Sequence, residues 1–151
     1  MPLKKKPVWL FVADGGRAYV IAPNDAGRYA RRADLDFTGP HKRDRDIGAD
    51  KPGRLFRRAG ASQRDTAEPK SSLSRAAEKK FLIEAFEAAA AAVKKAKAGG
   101  LVVVAPPRAL GDLRAGVGGA LPPPVVGELA FDLVKQDVAA IVARARDARL
   151  I

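Results

Sequence analysis

Two stretches of this chain, Val8-Trp9-Leu10-Phe11-Val12-Ala13 and Leu101-Val102-Val103-Val104-Ala105, are apolar at every position. Successive side chains of a strand point to opposite faces, so a strand apolar on both parities must be covered on both sides. Such strands sit in the middle of a sheet, and covering both faces takes helices above and below. This demand limits the fold more than any other feature of the sequence.

The remaining elements can be read around these two runs. Asp14-Gly15-Gly16-Arg17 is a strong hairpin turn, and Ala18 to Ala22 returns as a second strand. Pro23 to Gly27 turns the chain again. In the third strand, Arg28 to Phe37, alternation puts Tyr29, Ala33, Leu35 and Phe37 on one face. Arg28, Arg32, Asp34 and Asp36 fall on the other, a charged guard expected at a sheet edge. A helix is expected from Ser72 or Ser74 as N-cap, with Leu82, Phe86, Ala89 and Val93 as one apolar stripe. Lys94, Lys95 and Lys97 suit its C-terminal dipole, and Gly99-Gly100 is expected to stop it.

After the run 101–105 come a short helix from Pro107 to about Ala115, a turn-rich stretch to Pro124 and a fifth strand within Val125 to Phe131. The last helix is expected to start between Leu133 and Asp137, with Val134, Val138, Ile141, Val142 and Ala145 as its stripe. The order β-β-β-α-β-α-β-α, with the first and fourth strands adjacent at the centre, predicts a five-stranded mixed sheet of order 3-2-1-4-5. Right-handed crossovers put helices on both faces. This is an α/β, ribonuclease H-like three-layer arrangement in a single domain.

Residues 39–75 show no sustained period and are expected to form a long basic loop, with ten Lys/Arg against five acids. Lys42, Arg43, Arg45 and Lys51 come first, then Arg54, Arg57 and Arg58. Arginine suits phosphate because its planar fork offers paired donors. Phe56 alone among them is too little for a base-stacking platform. Arg108, at the start of the short helix where backbone N–H groups favour negative charge, is a second anion-binding candidate. The whole chain carries a net charge of +11, which favours a polyanionic partner: RNA, DNA, the ribosome or an anionic membrane surface.

The catalytic sets are incomplete. Two-metal chemistry needs three or four converging carboxylates. Asp14 ends the first strand, and Glu84, Glu87 or Asp137 could approach it, but Ala105-Pro106-Pro107 stands where a further acid would be expected. His41 is the only histidine, so a triad has no second base to draw on. The chain has no cysteine and no phosphate-loop motif. No enzymatic activity, metal or cofactor is therefore expected. The apolar part of the N-terminus, Val8 to Ala13, is too short for a secretory segment, and a cytoplasmic location is expected.

The stretches "VADGGRA" (12–18), "DKPGR" (50–54), "LVVVAPPRALGDLR" (101–114) and "FDL" (131–133) resemble those of the bacterial host-attachment family, proteins labelled as required for attachment to host cells. That family is similar to the middle domain of archaeal and eukaryotic peptide-release factors and of the Pelota-type rescue factor. The resemblance implies a ribonuclease H-like domain and a link to translation. The Gly-Gly-Gln motif that serves hydrolysis in release factors has no counterpart here, since Arg17 follows Gly15-Gly16. The resulting expectation is a non-enzymatic cytoplasmic module that binds RNA or the ribosome. The alternative is an attachment factor acting at the cell surface on host polyanions; a metal-dependent nuclease ranks below both.

Overall fold

The structure, a computed structural model, describes the backbone of residues 6–39 and 60–151, with side chains described at 6–39 and from 74 onward. Five strands, β1 (Val8–Ala13), β2 (Arg17–Pro23), β3 (Tyr29–Thr38), β4 (Gly100–Val104) and β5 (Val125–Leu129), form one sheet in the order β3-β2-β1-β4-β5. The first three are antiparallel neighbours, while β1, β4 and β5 run parallel. Among the described residues, three helices join the sheet: α1 (Gly60–Ala96), α2 (Pro107–Gly116) and α3 (Val138–Asp147).

Both all-apolar runs lie at the centre, with every residue from Leu10 to Ala13 and from Leu101 to Ala105 fully buried. Their two parities feed two separate cores. Trp9, Phe11, Leu101 and Val103 pack with Leu82, Phe86, Ala89 and Val93 of α1 and with Leu110 and Leu113 of α2. Leu10, Val12, Val102 and Val104 pack with Ile141, Val142 and Ala145 of α3. Helices therefore cover both faces. The crossovers β1-to-β4 and β4-to-β5 advance in the same direction, so right-handedness puts α1 and α2 on one face. The chain reaches the other face only after β5.

Four local expectations change. The helix α1 begins at Gly60 rather than at Ser72 or Ser74, so it takes in the second half of the segment read as a loop. An apolar stripe marks where a helix is buried, and this one is helical well before it meets the sheet. It even passes through Pro69, which withdraws one backbone donor.

The end of α1 is also different. Lys97 takes the left-handed conformation (φ 54°), with Lys97 N–H donating to Lys94 O and Ala98 N–H to Val93 O. That is a Schellman cap with lysine where glycine is usual. Gly99 serves another purpose: a Cβ there would lie 2.2 Å from Lys6 O, so glycine lets the helix exit pass against the lead-in to β1.

In β3 the simple alternation fails because the register shifts between its pairings with Tyr19 and Ile21. Ile21 faces Arg31 and Tyr19 faces Asp36, so extra β3 residues bulge out between them. The bulge reverses the parity. Tyr29 packs on the α3 face while Leu35 and Phe37 pack on the α1 face, instead of all three sharing one. Arg31 and Asp36, of opposite parity in sequence, end up on one face and pair at 2.9 Å.

Finally, α3 starts after Asp137, whose carboxylate caps the helix by accepting from Ala140 N–H at 2.8 Å. Val134 precedes the helix and is not part of its stripe, although it is buried in the same core.

Candidate functional site

Above the carboxyl ends of the central parallel strands, β1 leaves sideways into the β2 hairpin while β4 leaves the other way through α2 towards β5. Diverging connections of this kind open a crevice at the strand ends, the usual place for ligands in open α/β sheets. Here the crevice is an open cleft of about 780 Å³, within the size range of small-ligand sites.

One lip of the cleft is the turn Asp14–Arg17. Asp14 Oδ1 accepts from Gly16 N–H and Arg17 N–H, both at 2.8 Å, and Asp14 N–H donates to Arg17 O at 2.8 Å. The carboxylate thus holds the hairpin closed. Gly15 lets the Glu78 carboxylate of α1 approach the turn, since a Cβ there would stand 2.7 Å from Glu78 Oε2. The opposite lip is Pro106, with Arg108 and Ala109 at the start of α2. Two prolines at this corner fix the backbone as it turns from strand to helix, and no side chain caps the helix.

The third wall comes from the loop after β5. The Tyr19 hydroxyl, buried on the α3 face, donates to Val134 O at 2.8 Å and fastens this loop to β2. That bond leaves Lys135 on the cleft wall. Burial pushes the Tyr19 phenol above its ordinary value, partly offset by the nearby charges of Arg31 and Arg17. The Arg31 guanidinium lies 3.8 Å from the centre of the Tyr19 ring, a close cation–π contact.

The walls differ in charge. Arg17, Arg31 and Lys135 gather around Tyr19 and Val134, while Glu78 and Asp112 line the side formed by α1 and α2. Arg17 and Arg31 share one carboxylate, Asp36, at 3.6 and 2.9 Å. Asp112 pairs with Arg75 at 3.3 Å. Arg108 and Lys135 are exposed and have no ion-pair partner among the described residues.

Of the residues singled out in the sequence, Arg108 and Asp14 both reach this cleft. Lys42, Arg43, Arg45, Lys51, Arg54, Arg57 and Arg58 lie outside the described residues, as do His41 and Phe56. Glu84 and Glu87 do not line the cleft: Glu84 lies near Lys80 at 3.9 Å, and Glu87 is exposed. Asp137 is engaged as a helix cap. Among the described residues, no group of three or more His, Asp or Glu could hold a metal ion.

Glu78, Asp112, Arg31 and Lys135 were missed. Glu78 had a legible signal, since it stands one helical turn before Leu82 on the buried stripe. Arg31 had none, because the β3 bulge decides its face.

Fold and cleft together define a three-layer α/β protein with an open, charged crevice at the ends of its two central strands. The chain belongs to the family described as protein required for attachment to host cells, whose family model matches residues 9–144. A search of curated proteins found no match. No helix among the described residues is long and apolar enough to cross a membrane.

Proposed function

We propose that this host-attachment family protein is a non-enzymatic, cytoplasmic module that binds RNA or the ribosome by its positive charge. The observation carrying this reading is the pair of exposed cleft cations, Arg108 and Lys135, that have no ion-pair partner among the described residues, on a chain of net charge +11. The basic segment holding Arg54, Arg57 and Arg58 adds further positive charge to the chain. The strand order agrees with a ribonuclease H-like domain of the kind found in the middle of release factors, and that likeness is the basis for a link to translation. Asp14 Oδ1 is engaged in its own turn, and no group of three or more His, Asp or Glu among the described residues could hold a metal ion, which favours binding over two-metal nuclease chemistry.

Ribosome and RNA co-sedimentation across a salt series tests this. Association should weaken steeply with salt, because each neutralised phosphate releases condensed counterions, with a logarithmic slope of about −0.7 per contact on single strands. Absence of association at low salt, or no change when Arg54, Arg57 and Arg58 become alanine, would overturn it. The family description favours a second reading, an attachment factor acting on host surface polyanions. Cell fractionation separates the two, since an extracellular pool supports the second.

A further inference from the structure

We infer that the cleft is a discrete site for a phosphate monoester, taken as its dianion. The inference rests on reading this cleft as an anion site of the protein, and it names the ligand class that the cleft would select.

The charge pattern carries the argument. Arg17 and Arg31 must divide the single carboxylate of Asp36. Asp112 is taken by Arg75, and Asp14 spends Oδ1 on two backbone N–H groups of its own turn. Arg108 and Lys135, on two different walls, are left without a carboxylate among the described residues. Counted over the cleft and its ion-pair partners, five cations (Arg17, Arg31, Arg75, Arg108, Lys135) stand against four carboxylates (Asp14, Asp36, Glu78, Asp112), and the two cations without a described ion pair face the same concave space from different walls. A phosphate monoester carries about −1.5 to −2 at neutral pH and offers three acceptor oxygens. A diester carries a single charge and has only two free oxygens, so it satisfies fewer of these cations.

Geometry agrees with charge. Arg31 sits over the Tyr19 ring at 3.8 Å, and the Tyr19–Val134 hydrogen bond fixes the backbone that carries Lys135, so part of the ordering is done before a ligand arrives. Arg108 follows the rigid Pro106-Pro107 corner, beside the uncapped N-terminal N–H groups of α2. A volume of about 780 Å³ suits a group of nucleotide or sugar-phosphate size. The acidic side, Glu78 and Asp112, disfavours a continuous polyanion lying across the whole cleft and favours one terminal phosphate entering at the basic wall.

Titration calorimetry at low ionic strength tests the site with inorganic phosphate, adenosine 5′-monophosphate, adenosine and the cyclic 3′,5′ diester. The monoester should bind and adenosine should not. The diester should bind about tenfold more weakly, and Arg108→Ala and Lys135→Ala should each weaken the monoester by about tenfold. Both positions are exposed, and thermal melts of the variants check folding. Equal affinity for monoester and diester, or an unchanged double variant, would overturn the proposal.

Two RNA oligonucleotides of one sequence, 5′-phosphorylated and 5′-hydroxyl, then identify the source of the phosphate. Preference for the phosphorylated strand makes an RNA end the ligand. Indifference, with monophosphate binding intact, makes it a free phosphorylated metabolite. If neither strand binds at low salt while the monophosphate does, the RNA-binding reading fails and the site stands.

Discussion

The two faces of the sheet are built from the same strands but closed in different ways. On one face α1 and α2 lay down a mostly apolar cover, with Phe11 and Phe86 meeting edge to face at 6.1 Å and Arg32 over the Trp9 ring at 5.1 Å. On the other, α3 is the only helix among the described residues, and polar groups do part of the covering. Tyr19 donates to Val134 O, Tyr29 donates to Val8 O at 2.8 Å, and Arg31 and Arg146 lie over the two tyrosine rings. A face with one short helix needs side chains that are apolar along the stem or ring and polar at the tip. Tyr19 and Arg31 also lie at the end of the sheet where the cleft opens, so this face supplies part of the cleft's basic wall.

The comparison can be broken by mutation. Phe86→Ala should be the most damaging, at about 3–5 kcal/mol, because the close-packed apolar face cannot refill the space. Urea denaturation measures it. Ile141→Ala on the α3 face should fall in the lower part of the range for aliphatic truncations, about 2–5 kcal/mol, since a single helix can settle towards the sheet. A larger loss at Ile141 than at Phe86 would reverse the ranking of the two faces.

Tyr19→Phe sharpens the comparison, because it removes one hydroxyl and keeps the ring. It should cost about 1–3 kcal/mol by leaving Val134 O without its buried donor. It should also weaken anion binding by releasing the loop that carries Lys135. The wild-type phenol, raised by burial, holds its proton more tightly when folded than the ordinary value of about 10. Its contribution is therefore fully present below that pH and is lost as pH climbs through the folded-state value. In Tyr19→Phe the alkaline arm of the stability profile should be shallower, as pH-dependent melts would record.

Lys97→Gly should stabilise by about 1 kcal/mol, because it relieves a left-handed lysine without touching either core. Gly15→Ala should have the smallest effect on stability, as Glu78 can swing its carboxylate aside. Its readout is the cleft: displacing Glu78 should change phosphate affinity more than it changes the melting temperature.

The elements and their order were legible because the physical signals are local. Runs apolar on both parities gave the central strands, the Leu82-to-Val93 stripe gave the buried half of α1, and Asp14-Gly15-Gly16-Arg17 gave the hairpin. The start of α1 was not legible, since no apolar stripe marks a helical stretch lying before the sheet. Arg108 and Asp14 could be placed at the strand ends from sequence because each directly follows a central strand. Glu78, Arg31 and Lys135 come from three separate elements, and only packing brings them together.

The sequence by itself determined a doubly covered sheet, its strand order and the absence of a carboxylate after β4, because side-chain polarity and turn chemistry act between near neighbours. Strand order and the right-handed rule together put both crossover helices on one face, and tertiary structure decided that α3 covers the other. It also decided that a bulge turns Arg31 onto Tyr19, and that a hydroxyl on β2 holds Lys135 at the rim. Those contacts join residues far apart in the chain, and the charge of the cleft depends on them.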